Sequence, residues 1–296
     1  MTAVTGRRAS AGASGGRRRD PGRAAVRRTL GLIGRYVLVG FLLVFFALPL
    51  LWMVTTPFDA NPTLRADIPE FTLDNFRVLL DNPFALRSLL NSILLAGGSA
   101  LIVLVLASLA SYALSRVRIP GRDALLYVLL LLSSIVTGTA AMVPTFLLMF
   151  ELGLIDSQLG VVLVLAGGLL PAAIFILKDF MDSMPRSYEE SARVYGASSL
   201  QVLTHVVVPI ARPGLATIAV WSVVQVWGNF LIPFILLRSP EKSPAAVVMY
   251  TFYTEGGQAD LALISTFSLL FSLPVVAMFL FVSRRYGFRF HGGIKR

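Results

Sequence analysis

The sequence predicts an all-α membrane protein with six transmembrane helices, both termini on the cytoplasmic side, and a cytoplasmic helical loop between the fourth and fifth spans. Three observations predict it. The 296 residues are 56 % apolar and 14 % charged, with a mean hydropathy of +0.76, whereas soluble domains carry about 25 % charged residues. Six windows free of charge follow one another, at 36–58, 88–115, 124–150, 157–177, 213–237 and 261–283. Each is long enough to cross a hydrocarbon core of about 30 Å as a helix. Finally, 21 of the 26 Lys and Arg residues fall in the pieces that an inside N-terminus places in the cytoplasm, the positive-inside pattern.

The chain opens on nine arginines within residues 1–35, set among Gly, Ala and Ser. So few large apolar residues cannot build a core, and residues 1–32 are expected as a disordered cytoplasmic tail, leaving 33–296 as the transmembrane domain. Arg7-Arg8 hints at a twin-arginine export signal. The apolar run that follows is too long for a signal core, and no small-residue cleavage site follows it. The net charge of +10 is accounted for by orientation, so nucleic acid is not the expected partner. Lipid is.

Helices are the form expected for the six windows, because all their backbone groups bond within the segment. Gly97-Gly98, Gly167-Gly168, Pro171, Pro233 and Pro274 lie inside them, as is common where membrane helices pack closely or kink. The outer loop 59–87 contains FTLDNFRVLLDN, read as a short helix with Thr72 as cap and Phe76, Leu79 and Leu80 on one side. It either rests on the membrane surface or docks a partner. A second outer loop, about 238–260, ends in the aromatic, Gly-rich MYTFYTEGGQAD.

The longest polar interruption in the second half runs from Met184 to Pro209, MPRSYEESARVYGASSLQVLTHVVVP. It reads as two short helices with a glycine between them. Ser187 and Glu190 have the spacing of a capping box, and Gly196 suits the left-handed residue that ends the first helix. Ser198 and Gln201 repeat the pattern for the second helix, which Pro209 must kink or end. Two turns are too few for stability alone. Tyr188, Ala192 and Tyr195 share one side, so a second surface is expected to hold them.

Chemistry is sparse. There is no cysteine, and the two histidines, His205 and His291, lack metal-ligand spacing. No G-x-x-x-x-G-K-[ST] phosphate loop occurs. A membrane enzyme would show His, Asp or Glu clustered at the boundary, and only Asp179, Asp182, Glu189 and Glu190 approach that. No catalytic, metal or cofactor residue is therefore expected. In the fifth window Trp221, Gln225 and Asn229 recur at i, i+4, i+8. Gln225 lies about 18 Å and Asn229 about 24 Å along a helix from Pro213. An aromatic with two neutral hydrogen-bonding groups suits a sugar, and interhelical hydrogen bonding is the plain alternative.

The Met184–Pro209 loop resembles the conserved cytoplasmic loop of importer permeases of the ATP-binding-cassette class, with pattern E-A-A-x3-G-x9-I-x-L-P. The register here is Glu190, Ser191, Ala192, Gly196, Val206, Val208 and Pro209. Other stretches resemble the sugar-uptake branch of that class: LLNSILLAGGSALIVLVLASLASYALSRVRIPGRDAL, AMVPTFLLMFELGLIDSQLGVVL and VWGNFLIPFILL. The ending FRFHGGIKR resembles the tail of the maltose-type second permease subunit. Tyr195 departs from the family, which places an acidic residue before the glycine.

The resemblance implies a permease subunit in a bacterial plasma (inner) membrane. Its partners would be a second, non-identical permease (a homodimer being the alternative), two ATPase subunits, an extracytoplasmic solute-binding protein and a sugar. ATP and Mg would sit on the ATPase. Tyr188, Glu189, Glu190, Ser191, Ala192, Gly196 and Pro209 would couple to that ATPase, with Glu190 as helix cap and partner of a basic group and Ala192 small against the cleft. Gly292, Gly293 and Lys295 would touch the ATPase from the tail, and Trp221, Gln225 and Asn229 would line the path. Polyamine, peptide and phosphonate uptake are the alternatives within transport. A polytopic membrane enzyme or an assembly factor is the alternative outside it.

Overall fold

The computed structural model describes residues 21–63, 70–117, 120–136, 139–252 and 260–286. Among them the chain forms helices joined by turns, with one isolated antiparallel bridge between Asp59 and Phe71. In order these are α1 (Pro21–Thr55), a 3-10 turn (Thr56–Phe58), α2 (Asp74–Asp81), α3 (Ala85–Arg116), α4 (Arg122–Val136), a 3-10 turn (Thr139–Ala141), α5 (Met142–Glu151) and α6 (Gln158–Asp182). They continue as α7 (Ser187–Val194), α8 (Ser199–Val202), a π-helical segment (Leu203–Val207), α9 (Val208–Ile210), α10 (Arg212–Trp227), α11 (Leu231–Leu236), a 3-10 turn (Pro240–Lys242), α12 (Ala245–Tyr250) and α13 (Leu261–Tyr286).

Met1–Trp52 and Met53–Arg296 are separate compact units. In the first, α1 starts at Pro21, so the helix takes in residues 21–32 that the sequence assigns to the tail. Ala24, Ala25 and Leu30 are strong helix formers, and proline suits a first helical position. Residues 1–20 lie outside the described residues.

Among the described residues, four helices are long and apolar enough to cross a membrane: Gly31–Phe58, Ala85–Arg116, Gln158–Asp182 and Leu261–Arg284. The pair Ser199–Ile210 and Arg212–Trp227, bent by 80°, adds a fifth if it is one span. Two predicted windows are thus not single helices. Window 124–150 divides into α4 and α5, and Pro144 in the first turn of α5 has no N–H to continue an earlier helix. Window 213–237 breaks after Trp227 at Gly228-Asn229, two residues that favour helix ends.

Contacts at the two ends of the bundle give the direction of each segment. The start of α3 meets the start of α6, where Gln158 donates to Asn91 Oδ1 at 2.9 Å. The ends of the same helices also meet, with Ser115 donating to the Asp182 carboxylate. So α3 and α6 run parallel, and the chain between Arg116 and Gln158 must return the full length of the bundle. It does so through α4 and α5. The next segment runs back against α6. Gly214 lies against Phe180 near the end of α6, and Leu236 accepts a hydrogen bond from Asp156 N at 2.8 Å beside its start.

The core lies where α3, α6 and α10 meet, around Leu95, Val103, Ala107, Leu165, Leu177 and Ile218. Small residues permit the close approach: a Cβ on Gly98 would stand 3.4 Å from Val162. Gly160 is tighter still, because a Cβ there would fall 2.6 Å from the backbone oxygen of Leu154. That oxygen cannot yield as a side chain would. Gly160→Ala is expected to destabilise by about 1–3 kcal/mol, lowering yield and thermal midpoint in detergent. Gly167→Ala, with nothing within 4 Å, serves as the unaffected control.

At the end where α6 begins, Asp156 adopts a left-handed backbone with φ of 56°. Its carboxylate accepts from Lys242 Nζ at 2.8 Å, Ser239 Oγ at 2.6 Å and the amides of Arg238 and Ser239 at 3.0 Å. Lys242 first and Ser239 second hold this carboxyl well below the usual carboxylate range. Asn91 also donates to the carbonyls of Glu241 and Ser243 at 2.9 and 3.0 Å, fixing the 238–243 loop to α3.

Helix α2 is present as predicted, but its sides differ. Leu79 is buried and Phe76 half-buried, while Leu80 is exposed. Thr72 Oγ1 accepts from Asp74 N at 3.1 Å, and Asn75 donates to the carbonyls of Pro57 and Asp59. Those bonds turn the helix so that Leu80 faces outward. Residues 253–259 of the second outer loop lie outside the described residues.

Candidate functional site

Two places concentrate the predicted site residues: the α7–α9 loop at the end of the bundle where α6 finishes, and a cavity beside α10.

In the loop, α7 is the expected two-turn helix, and Gly196 has φ of +86°. Gly196 N donates to Arg193 O at 2.9 Å and Ala197 N to Ala192 O at 3.1 Å, the paired bonds of a Schellman termination. Ser198 then caps α8: its hydroxyl accepts from Gln201 N at 3.3 Å and Gln201 Oε1 accepts from Ser198 N at 2.8 Å. The predicted Ser187–Glu190 box does not form. Arg186 is already in the helical region, so Ser187 sits inside the helix and cannot fold over its first turn. Arg186 O accepts from the amides of Glu189 and Glu190 instead, at 3.0 Å each.

Pro209 stands one residue before the end of its helix. The widened turn at Leu203–Val207 precedes it, and the chain swings 80° at Ala211 into α10. A π turn ahead of a residue with no N–H accommodates the missing bond without ending the helix at once.

The loop's two faces differ from the predicted ones. Tyr188 and Tyr195 are exposed, the latter at 92 %, together with Val194 at 84 % and Leu200. Ala192 does not share their surface. It is half-buried and packs against this chain's own core. Glu190 and Ser191 are exposed, and Ser191 donates to Ser187 O at 2.8 Å. Glu189, grouped in sequence with the outward residues, is buried at 5 %. Its Oε1 accepts from Arg116 Nε at 2.6 Å, and Arg116 Nη2 lies 2.5 Å from the same oxygen as an ionic contact outside hydrogen-bond alignment. Oε2 accepts from Tyr112 at 3.1 Å.

Sequence reading missed Arg116, which is 73 positions from Glu189. The available signal was its place as the first charge after a long apolar window. Gly292, Gly293 and Lys295 lie outside the described residues.

Beside α10, Trp221, Gln225 and Asn229 line one partly open cavity of about 230 Å³, together with residues of α4, α6 and α11 including Ser133, Leu165, Leu169 and Ile232. Among the described residues that line it there is no Asp, Glu, Lys or Arg. The predicted i, i+4, i+8 face is not the reason they meet. The helix ends at Trp227, and Asn229 stands in the break, where its Oδ1 accepts from Ile232 N at 3.2 Å in the first turn of α11. Gln225 is exposed, and its side chain makes no hydrogen bond among the described residues. Among the described residues there is also no group of three or more His, Cys, Asp and Glu arranged to hold a metal.

Comparison with known proteins places this geometry. The family model described as "Binding-protein-dependent transport system inner membrane component" matches residues 122–288. The maltodextrin transport system permease protein MdxG of Bacillus subtilis (strain 168) is 28 % identical over 266 residues, covering 89 % of this chain and 95 % of the relative. The galactooligosaccharides transport system permease protein GanQ of the same organism is 30 % identical over 271 residues, covering 88 % and 94 %. In fold, the chain is similar to a crystal structure of a bacterial transporter involved in the import of the acidic polysaccharide alginate. That likeness has a TM-score of 0.76 at 23 % identity, covering 88 % of this chain and 97 % of that one. On the family match and the near-complete relatives, the chain belongs to the family of binding-protein-dependent transport system inner membrane components.

Proposed function

We propose that this chain is a permease subunit of an ATP-driven, binding-protein-dependent importer for an uncharged sugar or oligosaccharide. The observation that carries the reading is the α7–α9 loop. A two-turn helix with exposed Tyr188, Val194 and Tyr195 stands at the end of the bundle, terminated and re-started by backbone devices that fix its angle. An exposed apolar surface on so short a helix calls for a covering partner.

In this reading the partner is one of two ATPase subunits, which carry ATP and Mg, so this chain is not itself an enzyme. ATP binding closes the ATPase pair and drags the loop, which rocks the spans joined to it. Tyr188, Glu190, Ser191 and Tyr195 face the ATPase, Gly196 holds the turn, and Pro209 sets the angle of approach to α10. Gly292, Gly293 and Lys295 add a tail contact. A second permease subunit completes the pore, and a solute-binding protein delivers the sugar.

The path runs past Trp221, Gln225 and Asn229. At about 230 Å³ the cavity falls below the roughly 300–1,000 Å³ that enclose a drug-sized ligand, so it suits one face of a saccharide, with the second subunit supplying the rest. The absence of charge among the described residues of its lining favours a neutral sugar over a uronate or a polyamine. The parallel run of α3 and α6 supports six crossings, with α4–α5 and α10–α11 each counted once. The Lys and Arg distribution supports N-in, C-in orientation in a bacterial inner membrane, with residues 1–32 as the cytoplasmic tail and 33–296 as the permease domain.

Purifying this chain under mild detergent is expected to recover an ATPase and a second polytopic subunit with it. Recovery as a lone chain that transports without an ATPase would overturn the reading.

A further inference from the structure

The loop is joined through the chain to α6 on one side and to α10 on the other. It has no chain connection to α3, yet α3 packs along both of those helices and forms the centre of the core. A polar network bridges that gap. Glu189 of α7 and Arg116 at the end of α3 have side chains only 7 % and 11 % exposed, and Tyr112, one turn earlier on α3, holds the second carboxylate oxygen. Arg116 Nη1 donates to Ser115 Oγ at 2.9 Å, Ser115 donates to Asp182, and Lys178 Nζ lies 2.7 Å from the other Asp182 oxygen. The ends of α3, α6 and α7 are therefore tied by one continuous network.

Apolar contacts between helices resist separation but permit sliding. A buried ion pair with its remaining lone pairs filled fixes direction as well as distance, and removing one member leaves an uncompensated charge. We propose that the Glu189–Arg116 ion pair is the positioning link through which the α7 loop drives α3, delivering the loop's movement to a helix outside its chain connections. This rests on the importer reading above. Glu190, one position away and exposed, meets the partner. Glu189 meets the protein's own spans. Because α3 packs against α10, displacement of α3 carries on to the helix that holds Trp221 and Gln225.

The test is sugar taken up per ATP hydrolysed by the whole complex in proteoliposomes, with the binding protein present. Glu189→Gln and Arg116→Gln are expected to keep binding-protein-stimulated hydrolysis while the uptake ratio falls about tenfold or more, in line with loss of one partner of a buried pair. The exchange variant, Glu189→Arg with Arg116→Glu, is expected to recover part of the ratio. Should Glu189→Gln fail to assemble, Tyr112→Phe keeps the ring packing and removes only the hydroxyl, with its bonds to Glu189 and from Arg193, and a smaller fall in the ratio is expected. An unchanged ratio in assembled variants, or a lower yield with the ratio intact, would overturn the link and leave these residues as packing alone. Stimulated hydrolysis by the unaltered complex reports on the importer reading itself. Its absence overturns both, whereas its presence with unaltered variant ratios overturns only the role of Glu189 and Arg116.

Discussion

Gly196→Val is expected to reduce sugar uptake by the assembled transporter to background while leaving membrane insertion and complex yield near those of the unaltered protein. Gly196 has φ of +86°, and no heavy atom lies within 4 Å of where a Cβ would stand. The effect is thus backbone strain and not a clash. An L-residue in this region costs about 1–2 kcal/mol, and a β-branched one is a true outlier there. α7 has eight residues, too few to resist that cost by its own hydrogen bonds. Relaxing φ to a negative value breaks the bonds from Gly196 N to Arg193 O and from Ala197 N to Ala192 O. It also swings α8, with exposed Leu200, away from Tyr188 and Tyr195. The ATPase would then meet a surface whose halves no longer align. Gly196→Asn, which tolerates the left-handed region, is expected to retain most uptake. Uptake in proteoliposomes with the binding protein decides it, and normal transport by the valine variant would remove the loop from coupling. Glu190→Lys should do less than a capping residue would, because no cap bond is lost. What changes is its charge in the first turn of α7, worth roughly 0.3–1 kcal/mol, and the charge it presents to the ATPase in the reading above.

The contrast between the two serine boxes shows what the sequence could and could not reveal. Ser187-x-x-Glu190 and Ser198-x-x-Gln201 carry equivalent patterns, and only the second forms. The difference lies in the preceding backbone. Ser198 is extended with ψ of 161°, while Arg186 has already entered the helix. A four-residue pattern does not encode where its helix begins. Gly196 was legible because a positive φ at a helix end leaves few residue choices. The apolar windows were legible for the same kind of reason, since bilayer thickness sets a minimum length. Hydropathy is blind to breaks within a window, however, so α4–α5 and α10–α11 each read as one helix. The Glu189–Arg116 pair was beyond reach for another reason. Which of two adjacent glutamates turns inward depends on the rotation of α7 about its axis, and that is settled by packing against the π-helical segment Leu203–Val207 and by bonds from α3, not by local sequence.

For the cavity, Gln225→Leu is expected to weaken apparent sugar affinity about tenfold or more with little change in complex yield. Gln225 is exposed to the cavity and its side chain bonds to nothing among the described residues, so its loss removes no internal support. A sugar hydroxyl left without its partner in a site shielded from water costs about 1–3 kcal/mol, which is that factor in affinity. Asn229→Leu behaves differently because Asn229 has two tasks. It lines the same cavity, and its Oδ1 accepts from Ile232 N at 3.2 Å. Losing that bond costs about 0.5–1.5 kcal/mol of α11 stability, so this variant should lose both affinity and yield. α11 in turn ends at Leu236, whose carbonyl accepts from Asp156 N, so loosening it also disturbs the clamp at the far end of the bundle. The two variants together separate a lining role from a packing role. Uptake is measured against sugar concentration for each, beside complex yield and thermal midpoint, with a neutral and a uronic oligosaccharide as competing substrates. Unchanged affinity and sugar preference in Gln225→Leu, with only yield reduced in Asn229→Leu, would reject the path and leave Asn229 as a support for the start of α11. A preference for the uronic sugar would instead reject the neutral class, because neither amide supplies the positive charge that a buried carboxylate requires.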